Sequence, residues 1–208
     1  MPIIDIHTHN LDTENGILSH SLIDGNIPLI PRYISLSIHP WYITADNLQI
    51  QIDNLCTAIN DKRIMAIGEC GLDKLCEVPF KLQIEAFTRI ALIASEKKIP
   101  LIIHCVKAYN EIIQIKRKIK PGNAWIIHGF RGKKEIALQL LSHGILLSFG
   151  EKFNIESLRV TPIESMFFET DESKDSINDI IKRASNALLI TPEELNKKVE
   201  SNICRIFR

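Results

Sequence analysis

Histidines and carboxylates recur at the ends of short apolar segments, a pattern that is typical of metal sites. His7 and His9 are two residues apart in one such segment, so in a strand both side chains point to the same side and can bind one ion. Four other segments end in a side chain of the same type: Glu69, His104, His128 and Asp171. Imidazole and carboxylate ligands without thiolates suit Zn, Mn, Fe or Ni, and oxygen-rich sites suit Mg.

The number of these side chains indicates a pair of cations. An open catalytic zinc site typically takes only three protein ligands, and this set is larger. Two divalent cations about 3.5–4 Å apart would use the whole set and would activate a water for ester hydrolysis. Glu69 is the natural bridge between them, and Asp171 can hold the water and accept its proton. Asp171 and Glu69 are therefore the predicted catalytic residues.

The apolar segments that precede these side chains have little alternation, which is typical of strands buried on both faces. They lie at residues 3–8, 33–38, 64–69, 100–105, 124–129, 145–149 and 166–170. Residues 17–23 could form a further strand, and residues 25–31, which follow, cannot hold a helix because of their prolines.

Helical patterns separate several of the strands. One apolar stripe has the spacing of a helix: Phe80, Ile84, Phe87, Ala91 and Ala94. Residues 110–119 and 134–143 have similar patterns, and Gly144 stands where a helix commonly ends. Near the carboxyl end, Thr191 and Glu194 form a capping box with Pro192 at the first helical position.

The alternation of strand and helix predicts an α/β protein with a parallel sheet. Seven clear strands and one short, degenerate strand favour a distorted (β/α) barrel of the TIM type, formed as a single domain over residues 1–208. A Gly-rich dinucleotide fingerprint does not follow the first strand, which argues against an open doubly wound sheet. In a barrel the carboxyl ends of the strands meet on one face, where active sites form.

The composition excludes several functional classes. The 208 residues include 25 Lys+Arg and 25 Asp+Glu, so the net charge is zero and a nucleic acid would have to be bound locally or through metal ions. The amino-terminal residues do not resemble a secretory signal, and the apolar runs are too short to cross a membrane. Five cysteines without a CxxC pair suit a reducing compartment, so a cytoplasmic protein is expected.

The motifs resemble those of the TatD family of metal-dependent deoxyribonucleases, and the resemblance extends over most of the chain. DIHTH at residues 5–9 is similar to the family's first metal motif, and GECGLD at 68–73 to a rather specific family string. Further similar segments are SIHP at 37–40, PLIIHC at 100–105, HGFRG at 128–132, ETD at 169–171 and SNICRIF at 201–207.

The resemblance implies roles for the candidate residues. Residues matching the ligands of the first metal are His7, His9, Glu69 and Asp171, and those matching the ligands of the second are Glu69, His104 and His128. It also implies hydrolysis of phosphodiester bonds, in DNA or in a smaller phosphoester. No protein partner is predicted.

Some positions depart from the family pattern. Ser37 replaces a glycine, Val106 stands where the family tends to have arginine, and the segment between Asp171 and Ile177 is short. The remaining candidates for substrate contact are His39, which precedes Pro40, and Arg131, in the loop after His128.

Two other functions remain open at this point. A pair of cations would equally serve an amidohydrolase-like esterase, lactonase or amidase, and zero net charge suits a small carbonyl substrate. A non-catalytic descendant that only binds metal is the third alternative.

Overall fold

The structure, a computed structural model, describes residues 3–23, 27, 29 and 32–207. Eight parallel β-strands are hydrogen-bonded in chain order and close into a barrel. They are β1 (Asp5–Thr8), β2 (Gly16–Ser21), β3 (Ile34–Ser37), β4 (Ile64–Asp73), β5 (Leu101–Val106), β6 (Trp125–Ile127), β7 (Ile145–Phe149) and β8 (Met166–Phe168). The predicted barrel is confirmed, and β2 is its additional strand, which is not the short strand expected, since its six residues exceed the lengths of β1, β3, β6 and β8. The segment 25–31, for which the sequence excludes a helix, lies mostly outside the described residues.

Seven α-helices accompany the strands within the described residues. They are α1 (Leu48–Ala58), α2 (Phe80–Lys97), α3 (Tyr109–Ile119), α4 (Lys134–Ser142), α5 (Ile155–Val160), α6 (Ile177–Leu188) and α7 (Pro192–Ile206). The predicted capping box at Thr191 is present, since its side chain accepts a hydrogen bond from the backbone N–H of Glu194. Helix α2 turns a slightly different face inward than expected, because Gln83 and Ile90 are buried while Phe80 and Ile84 are only partly buried.

Two compact units make up the chain: a terminal unit of residues 1–18 and 126–208, and a central unit of residues 19–125. In the central unit, Phe87 of α2 packs edge-to-face on Trp125 with ring centroids 5.3 Å apart. In the terminal unit, Phe149 lies against Phe130 and Phe168, and all three are buried. Each unit therefore has its own apolar core.

The strands end close to where the sequence predicts, with one exception. Strand β4 continues from Glu69, where the apolar run ends, to Asp73. Its register with β5 pairs Gly71 with His104 and Asp73 with Val106. The extension adds Asp73 to the strand that already carries Glu69. This strand pairs with β5, which carries His104.

None of the helices in the described part of the chain combines the length and the apolar character needed to cross a bilayer.

Candidate metal centres

Three candidate ligands meet in the central unit: His39, Glu69 and His104. Glu69 Oε1 lies 2.8 Å from His104 Nδ1 and 3.2 Å from His39 Nε2. The two imidazole rings are 4.6 Å apart, and at most 12% of any of the three side chains is exposed. One donor atom from each residue lies within 4.8 Å of the others, which is close enough for all three to bind a single cation.

Asp73 supports this central cluster by contacting the other nitrogen of the His104 imidazole, the one that does not face Glu69. Its Oδ2 lies 3.2 Å from His104 Nε2 and accepts a hydrogen bond of 2.7 Å from Trp41 Nε1. Its Oδ1 accepts one from the backbone N–H of Leu75. Burial by itself raises the pKa of Asp73, but the hydrogen bonds from Trp41 and Leu75 outweigh it and hold the pKa below its ordinary value. Asp73 therefore both orients His104 and ends the strand.

Two serine hydroxyls of β3 support the backbone beside Glu69. Ser35 Oγ donates to the carbonyl of Gly68, and Ser37 Oγ donates to the carbonyl of Glu69 at 2.8 Å. Gly71 approaches the backbone of His104 so closely that an added Cβ would overlap its carbonyl oxygen, and its φ of 153° favours glycine. Ser37, which replaces the glycine of the family pattern, thus contributes a bond that glycine cannot make.

The terminal unit holds the other candidate ligands. Asp171 Oδ1 lies 3.7 Å from His7 Nε2 and 3.6 Å from His9 Nε2. Backbone hydrogen bonds fix this arrangement, because Asp171 N–H donates to the His7 carbonyl and His9 N–H donates to the Asp171 carbonyl. His7 is fully buried, whereas Asp171 keeps a third of its side chain exposed and can reach solvent.

Glu169 joins this terminal cluster, and the sequence analysis missed it. Its Oε1 lies 3.1 Å from His128 Nδ1 and accepts a bond of 2.6 Å from Gly129 N–H. Its Oε2 is buried and makes no hydrogen bond of ordinary geometry among the described residues, although the Ser148 hydroxyl lies near enough to the carboxylate to help lower its pKa. Burial raises the pKa of Glu169, but the charge of His128 and its hydrogen bond outweigh burial, so the pKa lies below its usual value. Donor atoms of His128, Glu169 and Asp171 lie within 4.8 Å of one another.

Asp5 connects the two strands that carry the terminal cluster. Its carboxylate accepts hydrogen bonds from Thr170 Oγ1 at 2.6 Å, from Thr170 N–H at 3.1 Å and from His7 N–H at 3.2 Å. Burial raises the pKa of Asp5 to about 7. The Thr170 hydroxyl also lies 2.9 Å from Thr8 Oγ1, so this network fixes the ends of β1 and β8 that carry His7 and Asp171.

A polar cavity of about 250 Å³ opens beside the terminal cluster. Four carboxylates, those of Glu151, Glu169, Asp171 and Glu172, line it together with two cationic side chains, Arg131 and Lys152, of which Lys152 is paired with Glu151 at 2.9 Å. Arg131 is thus in a position to meet an anionic group near the carboxylates. His39, the other residue predicted to contact substrate, lies instead against Glu69.

Within each unit the predicted site residues come together. Glu69 and His104 come together with His39 in the central unit, and His7, His9, His128 and Asp171 come together in the terminal unit. Asp5 could have been found from its spacing, because it lies two residues before His7 in β1 and so faces the same side of the strand; Glu169 lies after the end of β8, where strand alternation gives no such signal.

The donor chemistry of both clusters fits divalent cations. Each cluster combines imidazoles with carboxylates and contains no thiolate. Such ligands suit the first-row divalent metals, and a site in which most ligand atoms are oxygens suits Mg. The buried Glu169 Oε2 offers a lone pair to such an ion.

A family model described as TatD related DNase matches residues 28–208. The human 3'-5' RNA nuclease TATDN2 is 32% identical over 130 residues, which is 57% of this chain and 17% of the relative. The deoxyribonuclease Tat-D of Schizosaccharomyces pombe is 29% identical over 118 residues, which is 52% of this chain and 38% of the relative. The chain thus spans well under two thirds of the length of these two relatives.

For other similar proteins, the match covers a larger share of both chains. An uncharacterized metal-dependent hydrolase of Methanocaldococcus jannaschii is 24% identical over 193 residues, covering 85% of this chain and 76% of the relative. The solved structure of YJJV, a TATD homolog from Escherichia coli, superposes with a TM-score of 0.83 at 17% identity, over 99% of this chain and 97% of that one. A TatD family hydrolase from Entamoeba histolytica gives a TM-score of 0.78 at 17% identity, over 100% of this chain and 98% of that one. These structures share the barrel fold.

Proposed function

The chain belongs to the TatD-related DNase family, and from this premise we propose that it is a metal-dependent hydrolase of phosphodiester bonds in nucleic acid. The observation that carries the proposal is that imidazole and carboxylate donors gather in clusters on the carboxyl-terminal halves of the strands or just after them. Two divalent cations are proposed, one at the central cluster and one at the terminal cluster. The sharing of Glu69 between both cations stays a prediction.

The side chains around the clusters have separable roles in this proposal. When bound, divalent cations lower the pKa of a water toward neutrality and neutralise charge on a phosphate. Asp171, which is one-third exposed at 33%, accepts the proton of the attacking water. Glu69 supplies the negative charge that orients His39 and His104.

Substrate contact is proposed for a cationic group beside the terminal cluster. Arg131 lines the cavity that Glu169 and Asp171 also line, where its charge would bind a phosphate oxygen; Lys152 lines the same cavity but is paired with Glu151 at 2.9 Å. His39 is assigned to the central cluster, because its Nε2 lies 3.2 Å from the Glu69 carboxylate, and its contact with substrate stays a prediction.

The proposed substrate is single-stranded nucleic acid or its ends. Relatives named as an RNA nuclease and as a deoxyribonuclease support a nucleic acid but not one sugar over the other. Zero net charge argues against a protein that covers a long duplex, because such proteins carry a basic excess. A cytoplasmic location stays a prediction.

The test compares nuclease activity with metal content. Protein stripped of metal is reloaded with Zn, Mn, Mg, Fe or Ni and assayed on single-stranded DNA, RNA and a small carbonyl ester. Wild type is compared with His104→Asn in the central cluster and His128→Asn in the terminal cluster. His143→Asn at the end of α4, outside both clusters, is the matched control.

We expect hydrolysis of DNA or RNA that depends on the cation and binding of two cations per chain. Each cluster variant should lose binding of one cation and most activity, about 100-fold or more, whereas His143→Asn should keep both. Ester turnover without nucleic-acid turnover would instead support the small-substrate hydrolase. Binding of metal without any turnover would support the non-catalytic alternative.

A further inference from the structure

Trp41 is an exposed indole that is nevertheless held in one position. Half of it, 51%, is accessible to solvent. Its Nε1–H donates to Asp73 at 2.7 Å, and its ring meets those of His39 and His104 edge-to-face, with centroids 4.8 Å and 5.8 Å apart. A large aromatic surface that faces water and has already lost its rotational freedom is suited to stack on a flat ligand at little entropic cost.

The indole borders an open groove in the central unit. The groove has a volume of about 660 Å³. Its lining is mainly apolar and consists of Trp41, Ile43, Cys76, Val78, Pro79 and Leu82. Thr44 and Glu77 stand among these residues and can hydrogen-bond the edge of a ring. A groove with an aromatic wall and a few polar groups is suited to a planar heterocycle.

The contacts of Trp41 connect this groove to the central cluster. Trp41 bonds to Asp73, Asp73 contacts His104, and His104 contacts Glu69. A phosphate that approaches the His104 imidazole would therefore leave the neighbouring base of the same strand beside the indole. This continuity with the candidate metal centre favours a nucleobase as the occupant.

We propose that Trp41 and this groove form a base-stacking subsite for an unpaired nucleotide next to the scissile phosphate, an inference that rests on the proposed function. Stacking on an aromatic side chain tolerates every base, since each has a π-face. It also requires the base to be unpaired, so the subsite selects single-stranded substrate. Because the chain has no basic excess, stacking would supply affinity that phosphate contacts alone do not.

The kinetic test uses a short single-stranded thymidine oligonucleotide and an abasic strand of equal length. The abasic strand keeps every phosphate but has no base to stack. Wild type is compared with Trp41→Phe, which keeps a stacking ring, and with Trp41→Ala, which does not. Leu92→Ala is the matched control, because Leu92 of α2 is also about half exposed, at 52%, and does not line the groove.

We expect wild type and Leu92→Ala to have a KM for the abasic strand about 5- to 100-fold above that for the thymidine strand. Trp41→Phe should keep most of this preference and Trp41→Ala should lose it, with kcat changed less than KM. Equal impairment of Trp41→Phe and Trp41→Ala on both strands would overturn the proposal, since Trp41 would then serve only to hold Asp73. Absence of hydrolysis by wild type on either strand would contradict the proposed function instead.

A binding measurement tests the subsite without turnover. The chain has two tryptophans, and Trp125 is fully buried, so quenching by a ligand in solution reports on Trp41. In chelator, the thymidine strand should quench the emission of wild type and of Leu92→Ala more than the abasic strand does. This difference should disappear in Trp41→Phe. Equal quenching by both strands would overturn the proposal whether or not the protein hydrolyses them.

Discussion

Glu169 Oε1 lies 3.1 Å from His128 Nδ1, so two side chains that are 41 positions apart in sequence form one acid–imidazole pair. Glu169 is fully buried, and 9% of the His128 side chain is exposed. A buried charge without a partner is costly, and here His128 and the N–H of Gly129 share its compensation. The pair makes Glu169 either a direct ligand of a cation or the group that orients His128 toward one.

Glu169→Gln should weaken cation binding by the terminal cluster, whether Glu169 is a direct ligand or orients His128. The amide keeps the size of the side chain but removes the negative charge that faces His128. We expect the affinity for one cation to fall about 10- to 100-fold, measured by titrating metal into the stripped protein. Glu135→Gln, in the exposed first turn of α4, should bind both cations as wild type does. Unchanged affinity in Glu169→Gln would assign Glu169 a purely structural role.

The sequence predicted the barrel because its signals are local. Apolar β-branched runs and capping boxes act over a few residues, and their alternation is sufficient to indicate the fold. The ligand types at the strand ends were visible for the same reason. Asp5 carries the same local signal, since it lies two residues before His7 in β1, whereas Glu169 lies after the end of β8 and its role depends on its contact with His128.

Other features depend on contacts that local patterns do not contain. Trp41 and Asp73 are 32 positions apart, and neither position is unusual when read alone. Strand β4 was predicted to end at Glu69, since its apolar pattern ends there, yet pairing with β5 extends it to Asp73. Such contacts follow from tertiary packing, which overrides local propensity.

Cation binding should raise the thermal stability of the protein. A ligand at 100 times its Kd stabilises the folded state by about 2.7 kcal/mol, and each kcal/mol shifts the Tm of a chain of this size by about 2–4 °C. We therefore expect a calorimetric Tm about 5–10 °C higher with a saturating cation than in chelator. His104→Asn should show a smaller increase, and His143→Asn the full one. Equal Tm values with and without each cation would contradict the proposed centres.

Gln83 holds the backbone of Asp73 beside the central cluster, so its replacement should destabilise the protein. Its buried amide accepts from Asp73 N–H at 2.7 Å and donates to the carbonyls of Asp73 and Val78 at 3.0 and 2.8 Å. Gln83→Leu leaves the Asp73 N–H buried without this acceptor, at a cost of about 1–3 kcal/mol. The other two losses cost less, because the Asp73 carbonyl keeps its contact with Cys76 Sγ and Val78 is only partly buried. We expect the free energy of unfolding in urea to fall by about 2–4 kcal/mol.

The control for Gln83 lies on the neighbouring helix. Gln114→Leu makes the same replacement at an exposed position of α3 and should change the free energy of unfolding by less than about 0.5 kcal/mol. Because Gln83 holds the backbone of Asp73, Gln83→Leu should also lower cation affinity. A variant as stable as Gln114→Leu would show that water replaces the lost bonds.

Asn202 should connect the last helix to the barrel. Its Nδ2 donates to the carbonyls of Ile163 and Met166 at 2.6 and 3.0 Å, just where β8 begins. Asn202 is 4% exposed, so Asn202→Leu removes a donor from both carbonyls in a region that water enters poorly, and the Ile163 carbonyl keeps another, the N–H of Met166. We expect the free energy of unfolding to fall by about 2–4 kcal/mol and the calorimetric Tm by about 4–16 °C.

The comparison that isolates this role is Ser201→Leu, which adds the same apolar side chain at the adjacent, exposed position of α7. It should leave the Tm within about 2 °C of wild type. Well below their Tm, both variants should bind cations as wild type does, because the bonds of Asn202 lie at the start of β8 whereas Glu169 and Asp171 follow its end. Loss of cation binding by folded Asn202→Leu would show instead that the α7 contact sets the position of the terminal cluster.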